Sequence, residues 1–306
     1  MVTPNEFLYS FISPLKILFD SLRILLHNKL LFCSIFLLTT LPLSFLFFTL
    51  TISTHSLRYQ IYHLQALARV VSTRVESGHV LEESRVNAIS LIRTRGVFSL
   101  LSFPLSLAAS VSAVHATISS FNGKHASVSS AITAVKTTWK RPSVTAIFAY
   151  TILFAFSPVP RVLAFVFPAA RLPILAVGSV VEVYLMAVMS LGIVVSVAEE
   201  RLGWEAVTVG SGLMRGRRVC GWVLSGLFVL VSGLINRRVE ELLEGEDSIS
   251  VWDRTVLICW YGLVVLLSYV ITTVFYCDSR KRHAIREPQV EEDDDCEGSV
   301  LVGSSL

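Results

Sequence analysis

Six long apolar runs, each nearly free of charged side chains, constrain what this chain can fold into. They cover residues 30–52, 97–120, 143–168, 173–198, 219–235 and 256–277. A helix of about 20 apolar residues crosses the roughly 30 Å hydrocarbon layer and satisfies its own backbone hydrogen bonds. Only 16% of the residues are charged, against about 25% in soluble domains. The sequence therefore predicts an all-α fold, a polytopic membrane helical bundle of six transmembrane helices.

The N-terminal segment, residues 1–29, contains the pattern of an amphipathic helix. Lys16, Asp20, Arg23 and His27 recur at spacings of four, three and four, which places them on one helical face. The opposite face carries Leu15, Leu18, Phe19, Leu22, Leu25 and Leu26. We predict that residues 13–29 form an interfacial helix whose polar face is turned toward water.

Two later segments, 129–141 and 204–218, repeat this theme more weakly and lead into the third and fifth spans. One interpretation is a chain of three units, each an interfacial amphipathic helix followed by a helical hairpin, all inserted in the same direction. The other is that every span needs a basic flank on the cytosolic side, so that some similarity is unavoidable.

The segments outside the spans differ in character. Apolar residues at helical spacing in the 53–96 loop predict two helices, with a break near Ser77-Gly78, on the far side of the membrane domain 30–277. The 236–255 loop is short and acidic. The last segment, 278–306, passes from a basic cluster to an acidic run and has too little apolar content to fold, so we predict a disordered cytosolic tail.

The lysines indicate the orientation. All six lie in the N-terminal segment, the 122–142 loop or the C-terminal tail, which alternating spans place on one side of the membrane. By the positive-inside rule both termini are cytosolic. The arginines of the 53–96 loop weigh in the opposite direction. The chain is predicted to be integral to an endomembrane or the plasma membrane.

Small residues at four-residue spacing allow helix backbones to approach closely. They occur on span 2 (Ser102, Ser106, Ser110 and Ala109, Ala113, Thr117) and on span 5 (Gly221, Ser225). We therefore expect spans 2 and 5 either in the interior of the bundle or at the interface of a homodimer, and span 1, rich in Phe and Leu, against lipid.

Ionisable side chains within the spans form a candidate intramembrane polar site. Glu182 lies near the middle of span 4, Arg161 follows Pro158 and Pro160 in span 3, and His115 lies in span 2. A charged side chain at this depth costs a few kcal/mol or more. Glu182 is either a site for a proton or cation, or a neutral acid hydrogen-bonded to a Ser or Tyr for packing. The prolines are expected to kink or end span 3.

Motifs of catalysis are absent from the sequence. There is no Walker A loop, H-E-x-x-H, G-x-S-x-G or dinucleotide turn, and no Cys/His spacing suggests a metal. We expect no enzyme activity, no cofactor, no metal and no nucleic-acid partner. The expected partners are the lipid bilayer, a second copy of the chain or another protein. The basic cluster Arg280-Lys281-Arg282 suits anionic lipids or simple anchoring of the topology.

Several short stretches resemble a family of uncharacterised plant six-span membrane proteins. Leu38-Thr39-Thr40-Leu41-Pro42-Leu43-Ser44-Phe45, followed by Thr54-His55-Ser56, looks like that family's first span, and Ile17-Leu18-Phe19-Asp20-Ser21-Leu22-Arg23-Ile24 like its N-terminal helix. The segment from Glu205 to Gly216 is similar to an amphipathic helix that recurs in these proteins and in membrane domains fused to bacterial glycerophosphodiester phosphodiesterases. The resemblance implies six spans and a plant source, and no activity.

Two functions are compatible with these features. The first is a non-enzymatic component that organises the membrane or scaffolds partners, with interfacial helices against the cytosolic leaflet. The second is a small transporter or channel with a site near Glu182. We favour the first, because transport predicts more polar groups inside the bundle than this sequence provides.

Overall fold

The computed structural model describes residues 4–70, 74–124, 127–215, 217–244 and 251–302, with side chains for 13–64, 66, 82–124, 127–215, 217–243 and 251–283. Every element in these ranges is helical. The α-helices are α1 (Pro4–His27), α2 (Lys29–Ile35), α3 (Leu41–Val70), α4 (Arg74–Phe121), α5 (Val128–Thr138), α6 (Lys140–Phe156), α7 (Val159–Val166), α8 (Arg171–Ala198), α9 (Gly203–Met214), α10 (Arg218–Glu244) and α11 (Val251–Val302). A π-helix (Phe36–Thr40) joins α2 to α3, and a 3-10 helix (Pro168–Ala170) precedes α8.

Six helical stretches of the described chain are long and apolar enough to cross a membrane. They are Lys29–Leu64, Glu82–Phe121, Lys140–Val166, Pro168–Ala198, Arg218–Leu243 and Val251–His283. Each overlaps one of the six apolar runs identified in the sequence. The prediction of an all-α, multi-pass integral membrane protein is confirmed.

In the described chain, three helices of 11 to 24 residues, here called the short helices, lie outside the six spans, and each precedes an odd-numbered span. The helix α1 leads into span 1, α5 into span 3 and α9 into span 5. This order of elements matches the predicted succession of short helix and helical hairpin. A true threefold repeat stays a hypothesis, since element order alone does not distinguish it from the shared need for a basic flank.

The chain divides into two compact units. Unit 1 comprises Met1–Phe32, Val111–Val229 and Leu267–Leu306, and it contains all three short helices. Unit 2 comprises Cys33–Ser110 and Leu230–Leu266.

The core of unit 1 is built on the contact between α8 and α9. A Cβ atom on Gly210 would lie 3.2 Å from the backbone nitrogen of Gly192, and one on Gly192 would lie 2.9 Å from Cγ2 of Val207. The two backbones therefore touch, and Val195 and Ala206 beside them are fully buried. Close approach of this kind requires residues without a side chain.

The predicted interruption of span 3 is confirmed. The helix α6 ends at Phe156 and α7 begins at Val159, so the break falls at Pro158, whose ring cannot supply the backbone N–H that a continuous helix needs. Pro160 then lies against Gly178 of α8, where an added Cβ would overlap the proline ring.

In unit 2, span 1 contains one π-helical segment, Phe36–Thr40, directly before Pro42. The Leu41 N–H donates to the carbonyl of Phe36, five residues back, which inserts an extra residue into the turn next to the proline. The helix α11 approaches this segment at Gly262, where a Cβ would lie 2.8 Å from Oγ of Ser44.

Two helices, α4 and α11, continue through segments where the sequence predicts a break or a disordered tail. Ser77 and Gly78 lie inside α4, which begins at Arg74. A single glycine costs a helix only about 1 kcal/mol relative to alanine, so it does not force a break. At the other end of the chain α11 extends to Val302, through the segment predicted as a disordered tail. The residues after span 6 extend a helix that is already formed, so they require no new nucleation.

The predicted interior position is confirmed for span 2 but not for span 5, whose alternative position at a homodimer interface stays a prediction. Ala109, Ala113 and Thr117 have no exposed surface. The apolar part of Arg218–Leu243, however, is only 17% buried, whereas that of Pro168–Ala198 is 44% buried. The small residues of span 5 serve a local contact, since a Cβ on Gly221 would meet the Met214 side chain at 2.6 Å.

We expect Gly192→Ala to lower the thermal unfolding midpoint in detergent, because the added methyl group would press on Val207. Overpacking of this kind typically costs about 1–3 kcal/mol. Gly212→Ala on α9 is the matched control: nothing lies within 4 Å of its added Cβ, so the greater helix propensity of alanine should raise stability by about 0.5–1 kcal/mol. Equal midpoints for the two variants would contradict the proposed packing.

Candidate functional site

The three ionisable residues predicted to form an intramembrane site all lie in unit 1 but are not brought together. Glu182 is half-buried on α8, and it makes no ion pair or side-chain hydrogen bond with the described residues. Arg161 is exposed on α7. His115 lies on α4 between the fully buried Val114 and Ala116, and its buried Nδ1 has no hydrogen-bond partner in the described chain. These side chains form neither an Arg161–Glu182 contact nor a shared polar site.

A nearly buried carboxylate, Glu199, joins the end of α8 to α11. Its Oε1 accepts a hydrogen bond from the Tyr276 hydroxyl at 2.8 Å and lies 3.3 Å from Nε of Arg280. Its Oε2 lies 3.6 Å from Nε of Arg201. The Glu199 side chain is only 12% exposed, so these donors replace most of the water that a carboxylate requires. The end of span 4 is thereby fixed to span 6.

The turn between α8 and α9 is held against the beginning of span 3. Glu200 has a φ of 60° and Gly203 a φ of 50°, both in the left-handed region that favours glycine. The Gly203 N–H donates to Oγ1 of Thr145 at 3.0 Å, and Glu200 pairs with Arg141 at 2.6 Å. Since Thr145 and Arg141 both lie on α6, these contacts fix where α9 begins.

Arg217 joins the connection between α9 and α10 to two other helices. Its guanidinium donates to Oγ of Ser13 on α1 and pairs with the carboxylate of Asp278 on α11. It also lies over the Phe275 ring, 5.5 Å from the centroid. Nε of Arg282 lies 3.3 Å from the same Asp278 oxygen. Two guanidinium groups share one carboxylate, so this Arg217 cluster has a surplus of positive charge.

These clusters are suited to joining helices and attracting anions. Glu199 accepts a hydrogen bond and pairs with two arginines, and Asp278 also pairs with two arginines. Within the described ranges, no group of three His, Cys, Asp or Glu side chains could hold a metal ion.

An open cleft lies between α8, α10 and α11, next to the Arg217 cluster. It is a shallow groove with a cavity volume of about 20 Å³, and its walls are mainly apolar. Leu224, Phe228 and Ile271 contribute apolar surface, and Phe275 belongs both to the cleft wall and to the contact with Arg217. Glu182 is not part of the lining.

No pattern in the sequence identifies Glu199 or Arg217 as site residues. Both follow the ends of helices, where charged residues are ordinary flanks of a span. Their main partners, Tyr276 and Asp278, are distant in sequence, and no local spacing connects them. The available signal was the density of charge in Glu199-Glu200-Arg201 and Arg217-Arg218, which marks a boundary but not a contact.

We expect Glu199→Ala to lower the thermal unfolding midpoint, because Tyr276 and Arg280 would lose their acceptor. Hydrogen bonds to charged groups contribute about 1.5–3 kcal/mol. The control is Glu205→Ala, which removes a carboxylate that is 62% exposed and also pairs with Arg201; exposed pairs contribute about 1 kcal/mol or less. An unfolding midpoint lowered equally by both variants would contradict the role of Glu199 in holding the end of α8 to α11.

A model of the family described as "Domain of unknown function (DUF8558)" matches residues 5–294. No curated protein and no solved structure matches the chain. The family match extends over all eleven α-helices of the described chain, from α1 into α11. The chain therefore belongs to the DUF8558 family.

Proposed function

We propose that this protein organises one leaflet of its membrane and catalyses no reaction. The observation that carries this proposal is the division of α1 into three faces with different surroundings. Such a helix matches the three environments found at a membrane surface beside a protein: protein, hydrocarbon and water.

The first face of α1 is turned inward: Pro14, Ile17 and Ser21 are buried in unit 1. The second face is apolar and exposed, and it consists of Leu15, Phe19, Leu22 and Leu26. Phe19 is 70% exposed, a large apolar surface that water would not stabilise. The third face exposes Lys16, Arg23 and His27. The apolar face inserts into the leaflet, and the basic face stays at the head groups.

The helix α5 supports the same proposal. Ala131 is buried, whereas Ile132 and Lys136 are exposed beside each other, and Trp139 and Lys140, which directly follow α5, are exposed as well. Tryptophan is favoured at the level of the head groups, because its ring is apolar and its N–H is polar. Two of the three short helices therefore present apolar side chains outward beside exposed lysines.

Inserted side chains enlarge one leaflet relative to the other, which changes lipid packing and curvature. Lysine and arginine at the same level attract anionic head groups, each by about 1 kcal/mol. In this proposal the inserted side chains act as wedges in one leaflet, and the spans hold them in position.

The leaflet concerned is the cytosolic one, with both termini in the cytosol, in an endomembrane or the plasma membrane. The distribution of all six lysines supports this orientation.

Tags placed at residue 1, residue 80 and residue 306 test the orientation. In sealed vesicles with the cytosolic side outward, protease should remove both terminal tags and leave the tag at residue 80 intact until detergent is added. Removal of the tag at residue 80 from intact vesicles would reverse the orientation.

Phe19→Gln tests the insertion of α1. Vesicles reconstituted with the purified protein at a fixed protein-to-lipid ratio should be smaller on average than protein-free vesicles when imaged by electron cryomicroscopy. We expect Phe19→Gln to weaken this effect, since burying a phenylalanine side chain contributes about 1.5–3 kcal/mol. Arg23→Gln changes a neighbouring exposed residue of α1 without removing apolar surface and should retain most of the effect. An equal vesicle diameter for both variants and the unaltered protein would contradict the proposal.

A further inference from the structure

We propose that the cleft between α8, α10 and α11 binds one anionic phospholipid, with an acyl chain in the cleft and the phosphate at the Arg217 cluster. The inference rests on the proposed function in placing this end of the spans at the lipid head groups. It does not depend on the insertion of α1.

The depth of the cleft fits one leaflet. Its lining on α10 extends from Gly221 to Phe228, whereas the span begins at Arg218. With a rise of about 1.5 Å per residue, the cleft extends from about 5 Å to about 15 Å below the beginning of the span. Half of the hydrocarbon layer is about 15 Å thick, so an acyl chain that starts at the Arg217 cluster traverses the cleft within its own leaflet.

The walls suit a hydrocarbon chain. Besides the apolar side chains, the lining includes Ser190, Ser225 and Thr272, and the hydroxyls of Ser190 and Thr272 are used within their own helices. The Ser190 hydroxyl donates to the carbonyl of Ala187 at 3.0 Å, and that of Thr272 to the carbonyl of Ser268 at 2.8 Å. A space with few free polar partners does not retain water, and at this depth the available filler is lipid.

The charge at the end of the cleft selects an anionic head group. Phe275 lines the cleft and supports the Arg217 guanidinium, so the cation lies beside the end of the chain site. Arg217 and Arg282 share the single carboxylate of Asp278. Arg218 is exposed and makes no ion pair with described residues. Together these residues leave more than one positive charge uncompensated, which a lipid phosphate would neutralise.

Photo-cross-linking tests the site in the full-length protein reconstituted in bilayers. Phosphatidylglycerol with a diazirine in one acyl chain should label residues 221–228 and 271–275, and phosphatidylcholine with the same chain should label them less. We expect Ser225→Leu to abolish this labelling, because the larger side chain fills the cleft. Ser232→Leu makes the same change on the same helix outside the lining and should preserve it. Labelling that is unchanged by Ser225→Leu would overturn the chain site.

The head-group contact is tested by competition between the two lipids. Arg218→Gln should reduce the preference for phosphatidylglycerol about fivefold, the effect of one basic residue near the surface. Arg237→Gln, which removes an exposed arginine elsewhere on α10, should leave the preference unaltered. Equal labelling by both lipids in the unaltered protein would overturn the choice of an anionic ligand. Phe19→Gln should leave the labelling of the cleft intact, so a failure of the cleft and a failure of leaflet insertion are separate results.

Discussion

The pairing of Glu199 with Tyr276, Arg201 and Arg280 illustrates the constraint on which unit 1 depends. Lipid tails are as apolar as leucine, so burial of apolar surface does not by itself hold spans together. Polar contacts and close packing have to specify which helices meet. Glu199 supplies a polar contact at the end of span 4, and Arg217 supplies another between α1, α10 and α11. Both clusters lie at the ends of spans, where pairing requires no charge in the middle of the hydrocarbon layer.

Close packing provides the second means of specification. Gly192 and Gly210 bring α8 and α9 into backbone contact, and Gly178 accommodates Pro160. In unit 2, Gly262 accommodates the π-helical segment of span 1 in the same way. The contact partner in each case is a backbone atom, a proline ring or a short side chain, so the position of one helix is set by the shape of its neighbour. At Gly210 and Gly178 an added methyl group would meet a backbone atom or a proline ring, which no rotamer change can move away.

The sequence predicts the six spans, the interruption at Pro158 and the short helices, because each follows from local composition or from proline geometry. It does not predict which spans pack most deeply. Gly221 and Ser225 suggested an interior span 5, but small residues report only that some neighbour comes close, here Met214. The sequence does not predict the charged clusters either, because Glu199 and Tyr276 are far apart in the chain and neither belongs to a motif. Only its predicted depth in the membrane distinguishes Glu182 in the sequence. The polar contacts of unit 1, by contrast, lie at the ends of the spans.

The three short helices show how one pattern leads to different relations with lipid. In α9, Gly203, Ala206, Val207 and Gly210 are small or compact enough for the helix to lie directly on α8, and they are buried. In α1 the corresponding inward face includes Ile17 and Ser21, while large side chains such as Phe19 and Leu26 occupy a separate, exposed face. Glycine on the inward face lets a helix sink into the protein, whereas leucine and phenylalanine on an outward face extend it into the bilayer. Among its described side chains α1 exposes four large apolar ones, Leu15, Phe19, Leu22 and Leu26, whereas α9 exposes one, Trp204.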